Sequence, residues 1–168
     1  MANVDIEMNP VDFITVGTVG PKGKRIFHLQ AGLGPQVVSL TIEKEQARAL
    51  GEAIDDLLEG LQRDHPEQGM VSVNMNRMTM DLRDPIDPQF RVSQLGLGYD
   101  QENDRVILVA REMIIVSEGQ DPELAEAGVV RLWATRQQMR ALALHTTEIV
   151  KQGRVDPQSN GRLLYYWT

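Results

Sequence analysis

The sequence predicts an α+β fold built from a strand-strand-strand-helix unit that occurs twice, with mostly antiparallel sheet, two main helices and a pseudo-twofold arrangement of the halves. Three observations predict it. Two segments carry apolar residues at helical spacing, while the other apolar segments are short and β-rich. The order hairpin, third strand, helix then appears twice along the chain. Finally, Leu40, Gln46, Arg48, Ala49 and Leu50 match Leu132, Gln138, Arg140, Ala141 and Leu142, each pair 92 positions apart (132 − 40).

Phe13–Val19 and Arg25–Ala31 read as two strands joined by Gly20-Pro21-Lys22-Gly23-Lys24, whose glycines and proline mark a tight hairpin connection. Gln36–Ile42 gives a third strand. From Glu43 to Gln62 the period changes to that of a helix, with Ala47, Leu50, Ile54, Leu57, Leu58 and Leu61 on one side and Glu45, Arg48, Glu52 and Asp55 on the other. Arg63–Gly69 is polar and reads as a connector. Val71, Val73 and Met75 alternate with polar residues, and so do Met78, Met80 and Leu82, but the parity slips by one between the runs. A bulge, kink or break near Asn76-Arg77 is expected there. Asp84-Pro85 and Asp87-Pro88 stop regular structure.

Phe90–Tyr99 and Arg105–Val116 form the second pair of strands across 100–104. Val106–Ala110 is continuously apolar, so that strand is expected to be central and covered on both faces. Ser117–Ala127 is acidic and reads as an exposed loop, Gly128–Ala134 as a strand, and Thr135–Gln152 as the second helix. Its apolar side is Met139, Leu142, Ala143, Thr146, Ile149 and Val150, and Thr135 followed by Gln138 has capping-box spacing. The expected organisation is a single domain over 1–168, with halves at 13–62 and 90–152, a connector at 63–89 and a C-terminal tail at 153–168. A further match, Phe13 with Phe90, sits at an offset of 77 (90 − 13). One such unit alone has an open sheet edge and little burial, which is a reason for two to join.

Length and composition suit one globular domain: 168 residues, 42% hydrophobic and 24% charged. The formal net charge of −7 argues against bulk binding to nucleic acid or to anionic lipid, since both need clustered Lys and Arg. With no cysteine, the chain has no disulfide, zinc-thiolate, iron–sulfur or thiol-nucleophile chemistry. Met1–Asp12 lacks the apolar core of a signal peptide and no run reaches the length of a membrane span, so a cytoplasmic location is expected.

Phe13-Ile-Thr-Val-Gly-Thr-Val-Gly20, Arg25-Ile-Phe-His-Leu-Gln-Ala31, Val38-Ser-Leu-Thr-Ile-Glu-Lys44, Phe90-Arg-Val-Ser93 and Leu97-Gly-Tyr-Asp100 together resemble the bacterial domain-of-unknown-function 3090 family. The likeness runs from Phe13 to Arg154. It implies no established activity. It does imply a gene neighbourhood shared with a kinase-like and a histidine-phosphatase-like protein, and so a link to phosphoryl chemistry. Typical members carry a cysteine-rich, zinc-ribbon-like tail. Here the tail keeps Asn160-Gly161 and has none of the cysteines, so no zinc role carries over.

No catalytic motif emerges. Gly17 and Gly23 have five residues between them, Arg25 stands where a phosphate loop needs a hydroxyl, and a strand follows instead of a helix. Gly32-Leu33-Gly34 and Gly96-Leu97-Gly98 lack the third glycine of a dinucleotide site and read as turns or close strand contacts. Asp100, Glu102 and Asp104 alternate like calcium ligands, but Arg105 replaces the required glycine. Asp81, Asp84 and Asp87 are explained by turn chemistry, and His145 with Glu148 has no further ligands in view. No metal and no cofactor is expected.

The candidates for binding are the polar face of the second strand, His28 and Gln30, together with Arg25, Arg91 and Arg105. The aromatic tail residues Tyr165, Tyr166 and Trp167 either pack on their own domain or anchor a partner or second copy. The favoured expectation is a non-enzymatic protein-interaction or regulatory module, with a protein partner or homo-oligomer. The alternative is an enzyme or small-molecule sensor holding a phosphorylated ligand between the halves.

Overall fold

A computed structural model of the chain describes residues 4–66, 73, 79–115, 118–119 and 126–152. Seven strands and two helices follow one another as β1 (Asp5–Met8), β2 (Phe13–Val19), β3 (Ile26–Leu33), β4 (Gln36–Ile42), α1 (Lys44–Asp64), β5 (Pro88–Asp100), β6 (Arg105–Glu112), β7 (Val129–Ala134) and α2 (Arg136–Gln152). The fold is α+β and mostly antiparallel, as the periodicities predict. β2 and β4 have the expected bounds. The β2–β3 turn closes through Lys24 N–H donating to the Pro21 carbonyl at 2.9 Å. Gly20 adopts a φ of 106°, and a Cβ there would lie 2.8 Å from the Lys24 carbonyl oxygen, so only glycine fits.

The seven strands form one sheet in the order β1-β7-β6-β5-β4-β3-β2. β1 and β2 stand at opposite ends of that order, yet only residues 9–12 separate them in the chain. Within that link Val11 N–H donates to the Trp133 carbonyl and Asp12 N–H to the Gly32 carbonyl, at 2.8 and 2.7 Å. The sheet therefore curls until its two ends meet. β1 was not foreseen, because four residues paired in parallel with a strand over a hundred positions away leave no local alternation to read.

Two parallel seams interrupt the antiparallel ladders, β4 with β5 and β1 with β7. At the first, β5 runs on to Asp100 beyond its last pairing with β4, Thr41 with Arg91. α1 packs against β5 there, α2 packs against β2, and the two helices pack on each other. Both helix starts are built alike. Gln46 Oε1 accepts from Glu43 N–H at 2.7 Å, and Gln138 Oε1 from Thr135 N–H at 2.9 Å, with Thr135 Oγ1 completing the expected capping box on Gln138 N–H. The same two glutamines reach beyond their own half. Gln46 Nε2 donates to the Val92 carbonyl at 3.1 Å, and Gln138 Nε2 to the Val11 carbonyl at 3.0 Å.

The inner face of the curled sheet and the apolar sides of both helices make one core, from Val16, Leu29 and Leu40 through Leu108 and Leu132 to Ile54 and Leu142. Of the predicted helical faces, Leu57 and Ile149 are only partly buried and Gly51 is added; a Cβ on Gly51 would lie 3.3 Å from Thr147 Oγ1, so the helices approach closely.

The two meanders share one ladder. An offset of 81 for β2 and 79 for β3 turns the Val19–Ile26 pair into Asp100–Arg105, and 79 with 92 turns Phe27–Ile42 into Val106–Ala134. This register sets Phe13 against Gln94, not against Phe90 as the sequence match had it.

Two further expectations change. β6 is central, between β5 and β7, but its two faces are not covered equally: Val106, Leu108 and Ala110 are fully buried while Ile107 and Val109 are half-buried. Thr79–Leu82, read as part of an alternating run, is not a strand. The other residues of that run, except Val73, and most of the 117–127 loop lie outside the described residues.

Candidate functional site

The outer face of the sheet differs between the halves. In the first half the rows across β2, β3 and β4 are Gly17–His28–Thr41 and Thr15–Gln30–Ser39. Alternation aims these polar side chains away from the core, and water was the expected neighbour. Instead, Gln30 and Thr15 are fully buried and His28 is 6% exposed. This corrects the reading of His28 and Gln30 as an exposed binding face.

Residues 80–83 cover them as a strap. Gln30 treats Arg83 as a strand partner would: its Oε1 accepts from Arg83 N–H at 2.7 Å and its Nε2 donates to the Arg83 carbonyl at 2.9 Å. The same Nε2 donates to Ser39 Oγ at 3.0 Å, and Thr15 Oγ1 donates to the Met80 carbonyl at 2.6 Å. Leu82 sits over Gly17, where a Cβ would lie 2.5 Å from its Cγ. The Arg83 guanidinium stacks 3.6 Å above the Phe13 ring. Two polar side chains thus hold backbone, and one glycine admits one apolar side chain.

The second half has the same rows and no such cover among the described residues. They are Gly98–Ile107–Trp133 and Gly96–Val109–Arg131. Ile107, Val109 and Trp133 are half-exposed, and no described atom lies within 4 Å of a Cβ built on Gly96 or Gly98. Both glycines lie within β5, so neither marks a turn. Gln30 and His28 are buried in one half, while Val109 and Ile107 at the matching places are half-buried with no strap over them among the described residues. The sequence reading missed this face, although Gly96-Leu97-Gly98 was a signal for it. Two glycines on one side of a strand make a flat floor that another backbone can approach.

The three arginines are not brought together. Arg91 pairs with Glu43 at the start of α1. Arg105 pairs with Asp100, nine residues along β5 from Arg91 (100 − 91), or about 30 Å of extended strand. Its guanidinium donates to the Asn103 carbonyl at 2.9 Å, and Arg25 lies at the other hairpin end. The acidic tip is similarly engaged. Asp104 adopts a φ of 51°, and its carboxylate meets Tyr99 Oη at 2.7 Å and Arg136 Nε at 3.0 Å. Burial opposes its charge, but these two partners hold its pKa below the usual carboxylate value. Among the described residues no group of three or more acidic or histidine side chains is placed to hold a metal ion. Tyr165, Tyr166 and Trp167 lie outside the described residues.

A family model described as a protein of unknown function, DUF3090, matches residues 6–160, nearly the whole chain. The chain belongs to the DUF3090 family. No curated protein and no solved structure matches it. The family match spans both halves, the strap and the start of the tail. Among the described residues no helix is long and apolar enough to cross a membrane.

The histidines give the fold a pH dependence. Burial lowers the His28 pKa, opposed by the Leu40 backbone, and Nδ1 has no hydrogen-bond partner among the described residues. Burial also lowers His145, opposed by the Val16 backbone and the Asp81 carboxylate. Both folded values lie below the unfolded reference of 6.5. As pH falls the unfolded chain therefore takes up protons first, so this stability is complete above the unfolded value and is lost as pH falls through the folded ones. Urea midpoints should drop between pH about 7.5 and about 5, and His28→Leu should flatten that drop. Equal slopes for the two proteins would remove His28 from the account.

Proposed function

We propose that this DUF3090 chain is a non-enzymatic protein-interaction or regulatory module whose docking surface is the outer face of β5, β6 and β7. The single observation that carries the reading is the inversion between the halves. Ile107 and Val109 are only half-buried beside Gly96 and Gly98, where their first-half counterparts His28 and Gln30 are buried, Gln30 beneath a strap. An apolar surface of this kind gains free energy when an extended segment covers it. The first half supplies the pattern for such an occupant: backbone held by side chains, with one apolar residue over a glycine.

Descent of both halves from one repeated unit belongs to the same proposal. It is supported by the common ladder register and by the paired roles of Gln46 and Gln138. The acidic, cysteine-free composition supports a cytoplasmic setting. A phosphorylated ligand between the halves has less support, because Arg91 is already paired with Glu43 and Arg105 stands far from it.

The test is capture from native lysate by the full chain and by Val109→Glu. That position is open enough to keep the fold, and the new charge can face Arg111 or Arg131. Stoichiometric capture should fall at least about tenfold in the variant, the loss expected when a charge enters an apolar contact. Equal capture by both proteins, or a strictly monomeric chain with no stoichiometric partner, would overturn the reading.

A further inference from the structure

We infer that the free edge of β5, from Gln94 to Asp100, takes an extended apolar segment of a partner protein as an added strand. The inference rests on the outer face of β5, β6 and β7 being a docking surface, as proposed above, and says how the partner is held on it.

The ladder sets out this edge. β4 pairs with β5 at Pro88 and Arg91 and no further, so from Gln94 to Asp100 β5 pairs with β6 alone among the described residues. In a strand with one neighbour, the backbone groups of alternate residues point away from that neighbour. Sheets guard such an edge with proline, lysine or a covering element. Gln94–Tyr99 contains no proline and no charged residue.

The first half shows what a guarded edge looks like. β2 stands in register with this stretch of β5, Val16 with Leu97, 81 positions apart (97 − 16). β2 also has a single neighbour, β3, but α2 lies along it, and His145 on that helix reaches the Val16 backbone. At the 92-position offset of the helices, His145 corresponds to Ala53 on α1 (145 − 53). Ala53 is exposed, and its methyl group offers no hydrogen bond to the backbone of Leu97. α1 also lies less closely along β5 than α2 does along β2.

The chemistry of the edge defines what it takes. A strand added there sends its side chains alternately to the two faces of the sheet. On the outer face they lie beside exposed Gly96 and half-buried Gly98, next to Val109 and Ile107. On the inner face they meet Leu95, Leu97 and Tyr99, which are partly buried against the core. Both rows favour apolar side chains, and the edge is about 20 Å long, room for about six residues. A second copy of the chain fits less well. Paired antiparallel about Leu97, its β5 would set Gly96 against Gly98 and leave Val109 and Ile107 uncovered.

Hydrogen exchange of the free chain is the first test. Within Leu95–Tyr99, amides that do not bond to β6 should exchange at least about tenfold faster than those that do. Slow exchange at all of them in a monomer would show the edge already covered and would overturn the inference. Concentration-dependent dimers in which the fast amides become slow would assign the edge to a second copy and overturn it too.

Random short peptides displayed on phage are then selected on the full chain. Enriched sequences should be apolar at successive positions, and a synthetic copy should slow the fast β5 amides about tenfold or more. N-methylation of alternate residues in that peptide separates strand addition from contact with the face alone. One parity should lose at least about tenfold in affinity and the other little, because only one row of its amides faces β5. Equal effects of the two parities, or no enriched peptide that slows those amides, would overturn the inference. The two proposals fail separately. If Val109→Glu lowers capture from lysate while the two N-methylated peptides bind alike, the face docks its partner without strand addition and only this inference falls.

Discussion

Gln30→Leu should lower the unfolding free energy by about 3 kcal/mol and release the strap from the first-half face, one of the largest effects expected of any single change outside the apolar core. The side chain is fully buried and makes three hydrogen bonds, two with Arg83 and one with Ser39. Leucine is of similar size, so little of the loss comes from a cavity. Most of it comes from Ser39 Oγ and the Arg83 peptide losing a partner where water enters poorly, at roughly 1 kcal/mol or more for each group. Ser39→Ala removes one of the three bonds and should cost only about 1 kcal/mol. Urea unfolding gives the free energies, and amide exchange at Arg83 reports the strap directly. A loss below about 1 kcal/mol for Gln30→Leu would mean that the strap is not anchored through this side chain.

Gly17→Val and Gly98→Val should behave in opposite ways although the two glycines share a register position. At Gly17 the new Cβ would lie 2.5 Å from Leu82 Cγ and 2.8 Å from its Cδ1, so Leu82 and the strap must move. Overpacking of this kind costs about 2–3 kcal/mol. At Gly98 no described atom is within 4 Å, and valine suits a strand better than glycine does. Unfolding free energy there should change by less than about 1 kcal/mol, in either direction. Thermal or urea unfolding of the pair decides it. Equal costs at both sites would show that the two faces are covered alike by something that resists displacement.

Helices, hairpins and the bounds of β2 and β4 were legible because each is written in local spacing. Ala47, Leu50, Ile54, Leu58 and Leu61 mark α1, and Gly20 with Pro21 and Gly23 marks the first turn. The Thr135–Gln138 capping box was legible for the same reason, since both partners lie within one helical turn. The register between the halves was legible only in part. Leu40 and Leu132 take matching places in the ladder, while Phe13 was set against Phe90, four positions from Gln94, because one shared phenylalanine does not fix a register.

The candidate site was harder to read. His28 and Gln30 were rightly placed on the side of β3 away from the core, yet alternation says only which way a side chain points. What stands in front of it is decided by another segment, and Arg83 lies 53 positions from Gln30. For the same reason the apolar run Val106–Ala110 suggested cover on both faces, when the described chain supplies cover for one.

By itself, then, the sequence determined the two helices, the order of the main strands, the apolar inner face and, through its lack of cysteine, the chemistry this chain does not use. The tertiary structure alone decided that β1 joins β7, that the sheet curls until its ends meet, and that one outer face is strapped while no described residue straps its counterpart. The division follows from range. Spacing along the chain records contacts a few residues apart, whereas closure and cover depend on which distant segments meet, and many segments of similar polarity would fit the same local pattern.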